Sequence, residues 1–231
     1  MSLRVILLEP EKSGNIGAVA RSMKNFGQRE LWIVNPKAPI DGESMAYAMH
    51  GSDVLSSAKI VNKLKEALVG VDVIVGTSSI IARSPSNVIR TPTTPREFAN
   101  KLNRCRGRIA LVFGRESSGL NNEELGLCDS VITIPASHEY NVLNLATAVS
   151  IILYELFQQR RKISGEHIAT RISKEQLLCQ FEKLVTSSGT QAHRQKLAIR
   201  AFRNLTARAM ISRREASLLI GVFRRAVAKI P

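Results

Sequence analysis

Two runs, Ile109-Ala110-Leu111-Val112-Phe113 and Val71-Asp72-Val73-Ile74-Val75, constrain the fold of this chain more than any other feature. Each is a nearly continuous apolar stretch rich in β-branched residues, without the polar alternation of a strand that faces water on one side. Such strands are buried on both faces, which requires a parallel sheet with helices packed above and below it. Shorter runs at residues 4–8, 31–34 and 131–134 read as further strands. Helical patterns at residues 16–26, 63–69, 95–104, 122–127 and 143–158 follow most of the strands. This alternation predicts an α/β fold, a parallel sheet covered by helices. In such open sheets ligands sit beyond the carboxyl ends of the strands, so the loops there are the ones to search.

Length and charge divide the chain. Its 231 residues and 44% hydrophobic content suit one large domain plus an extension. The net charge of +14 is unevenly placed: residues 1–158 carry 17 basic and 15 acidic side chains, residues 159–231 carry 16 and 4. We read residues 1–158 as the sheet domain, 159–172 as a polar linker and 173–231 as a basic helical extension. In the extension, Ser173 with Gln176 and Ser212 with Glu215 have the spacing of capping boxes. Leu177, Phe181, Leu184 and Val185 form one apolar stripe, and Leu219, Phe223 and Val227 form another. Arg200, Arg203, Arg213, Arg214, Arg224 and Arg225 lie off these stripes and are the candidate contacts to a polyanion, nucleic acid before membrane. A second reading, in which the extension mainly supports dimerisation, stays open.

Several classes are excluded as expectations. The most apolar stretch, residues 146–157, is interrupted by polar side chains and predicts no membrane span. Only Val5 to Leu8 precede Glu9 as an apolar segment, too short for a signal-peptide core. Cys105, Cys128 and Cys179 are far apart and lack histidines at ligand spacing, so no metal site and no disulfide framework is expected, and a cytoplasmic protein is.

Three loops carry candidate chemistry. Residues 9–21, EPEKSGNIGAVAR, hold Gly14 and Gly17 at a helix start, where free N–H groups favour phosphate or carboxylate, and place Arg21 inside that helix. Residues 114–120, GRESSGL, have the glycine spacing of a phosphate loop, but Leu120-Asn121 replaces the required Lys-Ser/Thr, which argues against an NTPase. They also fail the GxSxG pattern of a hydrolase elbow, leaving Glu116 as a carboxylate in a glycine-bounded turn. Residues 134–144, IPASHEYNVLN, lead into the long apolar helix. Thr77-Ser78-Ser79 add small polar groups at the end of another strand.

Taken in order, NIGAVARSMKNFG (15–27), LVFGRESSGLNNEEL (111–125) and IPASHEYNVLNLATAV (134–149) resemble the three motifs of the SPOUT RNA 2′-O-ribose methyltransferases. With LWIVNP, VGTSS and the basic tail, the pattern is most similar to the TrmJ type, which acts on tRNA. The resemblance covers about residues 3–158. It implies a deep trefoil knot near the second and third motifs, a homodimer, S-adenosylmethionine as donor, and methylation of the ribose of nucleotide 32 in the tRNA anticodon loop. Methylation of ribosomal RNA, or RNA binding without catalysis, are the alternatives. By position, Thr77, Ser78, Ser79, Gly114, Ile134, Asn141, Val142 and Leu143 fall on the cofactor-binding places, and Asn15, Arg21, Glu116 and Asn144 on the polar catalytic ones. Val142-Leu143-Asn144 departs from the family's Ser-Leu-Asn, with Tyr140 or Asn141 as candidates to replace the serine hydroxyl. A guanidinium ordinarily stays protonated, so Arg21 is expected to stabilise charge on the 2′-oxygen electrostatically and not to act as a base.

Overall fold

The structure is a computed structural model that describes residues 2–79, 92–102, 105–159 and 166–229. Nine strands and ten α-helices are found among these residues. The strands are β1 (Ser2–Leu8), β2 (Glu30–Val34), β3 (Lys59–Val61), β4 (Val73–Thr77), β5 (Pro92–Thr93), β6 (Cys105–Arg106), β7 (Arg108–Phe113), β8 (Ser130–Ile132) and β9 (Glu166–His167). The helices of the amino-terminal part are α1 (Ser13–Asn25), α2 (Gly42–Ala48), α3 (Ser52–Ser56), α4 (Leu64–Ala67), α5 (Pro95–Leu102), α6 (Asn122–Gly126) and α7 (Leu145–Gln159). Three longer ones follow, α8 (Arg171–Ser187), α9 (Ala192–Ala209) and α10 (Arg213–Val227).

Seven strands form one sheet in the order β3-β2-β1-β7-β4-β8-β5, with every pairing parallel. The period of two along each strand explains the uninterrupted apolar runs. Leu3, Val5 and Leu7 of β1, Val73 and Val75 of β4, and Ile109, Leu111 and Phe113 of β7 point to one face. There they meet α1, α5 and α7 through Ile16, Val19, Phe98, Val149 and Ile152, all at or near zero exposure. Ile6, Leu8, Ile74, Ala110 and Val112 point to the other face, covered by the short α4 and α6 through Ala67, Leu68 and Leu125. Each fully buried aliphatic side chain is worth roughly 1.5–3 kcal/mol, so a strand buried on both faces contributes at every position.

Arg4 is the exception inside β1: it is 4% exposed on the otherwise apolar second face. Its guanidinium donates to the carbonyls of Ala67 (2.5 Å) and Val69 (3.0 Å), pairs with Glu30 (2.7 Å), and lies over the Trp32 ring at 4.4 Å. A buried charge is tolerated only with such partners.

On the first face, α1 lies unusually close to its neighbours. A Cβ on Gly17 would stand 2.0 Å from the Ser44 carbonyl oxygen, and one on Gly51 would stand 2.7 Å from that of Ala20. Asp41 caps α2 with a full capping box to Ser44 and also accepts from the Ser13 hydroxyl, tying the starts of α1 and α2 together.

The carboxyl-terminal helices have their own small core of Ala169, Leu177, Ile211 and Ala216. Phe202 joins it, stacking on Phe181 at 4.0 Å and meeting Phe223 at 5.6 Å. They are also anchored to the sheet domain: Ile168 and Met210 belong to the main core, and the Lys174 ammonium donates to the Asp72 carbonyl at 3.0 Å. The expected box at Ser212 and Glu215 is present. The one at Ser173 is not, because Thr170 takes the cap: its hydroxyl accepts from the Ser173 amide and the helix already begins at Arg171. The end of the expected helix at residues 103–104 and the linker residues 160–165 lie outside the described residues. No described helix is long and apolar enough to cross a membrane.

The α1–α2 approach gives a direct test. Gly17→Ala forces backbone apart in a packed layer, and overpacking of this kind costs about 1–3 kcal/mol. The urea midpoint is expected to fall accordingly; an unchanged midpoint would contradict the contact.

Candidate active site

β1, β7, β4 and β8 are neighbours and run the same way, so their carboxyl ends open on one edge of the sheet. The segments that leave this edge are residues 9–12 after β1, 78–79 after β4, 114–121 after β7 and 133–144 after β8. Topology alone therefore gathers the motif loops, although more than 100 residues separate the first two.

The first and second loops are stitched together residue by residue. The Arg115 guanidinium donates to Glu9 at 3.1 Å, and grips Glu124 through two bonds of 3.1 and 2.9 Å. Glu116 accepts the Glu11 amide on Oε2 (2.8 Å) and the Asn15 amide group on Oε1 (2.9 Å). Ser117 returns the contact, its amide and hydroxyl donating to the Glu11 carboxylate at 3.0 and 2.6 Å. Gly114 makes the tight turn possible: a Cβ there would lie 2.2 Å from the Gly119 carbonyl carbon.

The third loop joins through Asn144. Its Nδ2 donates to Asn15 Oδ1 at 3.0 Å, while its Oδ1 accepts from the amides of Ala146 (2.9 Å) and Thr147 (3.4 Å) at the start of α7. Asn144 is thus both helix cap and bridge. Further along, Ser22 and Ser150 bond at 2.7 Å and hold α1 against α7 a second time. Asn15, Glu116 and Asn144 form one hydrogen-bonded chain across the three loops. Arg21 is outside it. Six residues past Asn15, it lies about 9 Å along the α1 axis and is exposed.

The expected cofactor positions surround the same edge. Thr77 donates to the Val112 carbonyl at 3.2 Å, and the Ser78 amide donates to the Ile132 carbonyl at 3.0 Å. Asn141 Nδ2 donates to the Ser79 carbonyl at 3.2 Å, closing the third loop over the end of β4. Ile134 is half-buried against the core, Leu143 half-buried, and Val142 is 47% exposed. Thr133, next to Ile134, has a buried hydroxyl with no hydrogen-bond partner among the described residues. An orphaned buried polar atom beside exposed apolar side chains and loop backbone groups suits an amphipathic ligand such as S-adenosylmethionine.

Sequence reasoning missed Glu9, Glu11, Arg115, Ser117, Glu124 and Thr133. Only the Asn121–Glu124 capping box has a local signal, the N-x-x-E spacing. Elsewhere on the second face, burial pushes the Cys128 thiol up to about 12, which makes it a poor nucleophile. Among the described residues no three His, Cys, Asp or Glu side chains gather closely enough to hold a metal ion.

Arg115 holds the Glu9 carboxyl below its ordinary value near 4.5, helped by the Asn35 amide. A depressed carboxylate stabilises the fold above its unfolded pKa and loses that contribution as pH falls through the folded value. Between about pH 5 and pH 3, Arg115→Met is expected to flatten the acid-side fall in Tm relative to the unaltered chain. Parallel curves would contradict the strap.

With this geometry in place, similarity to known proteins is specific. The SpoU rRNA Methylase family matches residues 2–154. The tRNA (cytidine-2′-O-)-methyltransferase TrmJ of Methanocaldococcus jannaschii is 38% identical over 228 residues, 96% of this chain and 98% of that protein. The crystal structure of TrmJ from Z. mobilis superposes with a TM-score of 0.69 at 25% identity, covering 97% of this chain and 99% of the other. The SpoU methyltransferase AviRb from Streptomyces viridochromogenes, in complex with the cofactor AdoMet, gives 0.55 at 26% identity over 69% of this chain and 60% of its own. All three stitched loops lie inside the matched residues, and the chain belongs to the SpoU rRNA Methylase family.

Proposed function

We propose that the protein transfers the methyl group of S-adenosylmethionine to the ribose 2′-oxygen of a tRNA nucleotide, nucleotide 32 of the anticodon loop. The observation that carries this reading is the Asn15–Glu116–Asn144 chain, which locks the three loops into one polar edge. Support comes from the TrmJ relatives, similar over nearly the whole chain, and from the AdoMet complex of AviRb. When bound, S-adenosylmethionine supplies an electrophilic methyl on a sulfonium; the new O–C bond forms as the S–C bond breaks, and the 2′-OH proton leaves to solvent. Thr77, Ser78, Ser79, Gly114, Ile134, Asn141, Val142 and Leu143 would hold it, largely through backbone groups. Arg21, exposed on α1 close to this edge, engages RNA phosphate and the 2′-oxygen and stabilises developing negative charge. Orientation supplies much of the remaining acceleration.

Three finer points belong to this reading. A trefoil knot is supported by β7 lying between β1 and β4 and by α7 packing on α1 and α5. A homodimer is supported by the apolar outer surface of α1 and α7, where Phe26 meets Tyr154 (47% exposed) and Phe157 (48% exposed). The basic extension serves as an RNA-binding arm: Arg200, Arg203, Arg213, Arg214, Arg224 and Arg225 are all exposed. Because Ile168 and Met210 sit in the main core, charge removal tests this arm more cleanly than deletion.

Incubation with labelled S-adenosylmethionine and unmodified tRNA, followed by nucleoside analysis, is expected to yield a 2′-O-methylnucleoside at nucleotide 32. Label entering ribosomal RNA alone would move the substrate, as the family's name allows; no label in either RNA would overturn the activity. Arg21→Ala is expected to lower turnover about 10²–10³-fold, the usual scale for losing one charge-stabilising donor. Arg21→Lys is expected to fail similarly, since a point charge cannot reproduce the planar fork. Turnover near that of the unaltered enzyme would refute the role.

A further inference from the structure

At the opposite edge of the sheet, where β4 and β8 begin, a cleft of about 470 Å³ opens between the sheet domain and helices α8 and α9. Along β4 and β8 its lining residues Asp72, Ile74 and Ser130 precede the methylation loops by three to six residues, roughly 10–20 Å. Its walls present two pairs of cations at helical i, i+3 spacing: Arg171 and Lys174 on α8, Arg200 and Arg203 on α9. Its carboxylates are already engaged. Asp72 accepts the Arg108 amide at 3.0 Å, and Asp129 accepts the Ile74 amide at 2.8 Å and faces Lys174 at 3.8 Å. Glu175 pairs with Arg171 at 3.4 Å. These acids hold the α8 cations in place.

Arg200 and Arg203 differ: among the described residues their guanidinium groups make no hydrogen bond or ion pair, and both residues line the cleft. Like charges three residues apart on one helix repel, and an anion between them relieves that cost. The apolar floor of Ile74, Leu125 and Val131 lowers the local dielectric and strengthens attraction for such an anion. Guanidinium forks match the paired oxygens of a phosphate. The cleft is open, and on α9 Lys196, one turn before Arg200, continues its basic face, as suits a chain of phosphates more than a single enclosed one.

We infer that this cleft is a second, sequence-independent phosphodiester site, built jointly by the sheet domain and the extension, which grips the RNA backbone away from the methylated nucleotide. This rests on the RNA-directed reading above and adds a place where the RNA is held.

The test compares full-length Arg200→Gln/Arg203→Gln with a charge-matched Lys63→Gln/Lys183→Gln pair, exposed cations outside the cleft. Binding of an unmodified tRNA transcript is measured against salt. Each lost phosphate contact removes about 0.7–0.9 from the slope of log K on log salt, so the cleft variant is expected to lose about 1.4–1.8. Its KM for tRNA is expected to rise at least about tenfold with kcat at saturating RNA within about twofold, while the control keeps the original slope. Equal slopes in the two variants would overturn the inference. Calorimetry with inorganic phosphate at fixed ionic strength separates the sources: phosphate heat lost in the cleft variant, with its tRNA slope intact, assigns a small anion and also overturns it. Binding is read apart from methylation, so an enzyme that methylates no RNA refutes the activity alone and leaves the slopes to decide the cleft.

Discussion

The Glu116 carboxylate is the pivot of the functional edge. One oxygen takes the Asn15 amide group and the other takes the Glu11 backbone amide, so a single side chain from the loop after β7 fixes both the start of α1 and the approach to it. Asn15 is then turned so that its own oxygen meets Asn144. A side-chain amide has two donors and an acceptor, and here the orientation of one amide decides the orientation of the next. The Arg115 strap to Glu9 and Glu124 fixes the loop that carries Glu116. Remove that order and the sheet would still form, but its carboxyl edge would be a set of independent loops.

Charge is distributed to match this division. The sheet domain spends its ion pairs on geometry: Arg4 with Glu30 inside the sheet, Arg115 with Glu9 and Glu124 above it. In the extension, Arg200, Arg203, Arg213, Arg214, Arg224 and Arg225 are exposed. In the proposed reading a nearly neutral scaffold places the reacting groups, and a cationic arm supplies long-range attraction that falls with salt. Arg21 is the one exposed arginine of the neutral part that the proposed chemistry uses.

The sequence is legible where burial is deep. β1, β2, β4, β7 and β8 all fall on the apolar runs, because strands covered on both faces can hold little else. β3 and β5 escape notice, being three and two residues long, and β3 lies at the sheet's margin with Lys59 and Ile60 exposed. α2 and α3 are hidden in a stretch rich in Gly, Ser and Ala, which packs by close backbone approach and shows no hydrophobic stripe. At the site, Asn15, Glu116 and Asn144 are identified through resemblance and meet in the structure. Arg115 and its acidic partner Glu9 both fall in loops the sequence marks, but their pairing is not readable, since they lie 106 positions apart.

The central claim is that Glu116 and Asn144 act through Asn15 as one unit. A double-mutant cycle on S-adenosylmethionine affinity, using Glu116→Ala, Asn144→Ala and both together in calorimetry, tests it most directly. Residues joined in one network couple by about 0.5–3 kcal/mol, so the double variant is expected to bind little worse than the weaker single one. Losses that simply add would contradict the account.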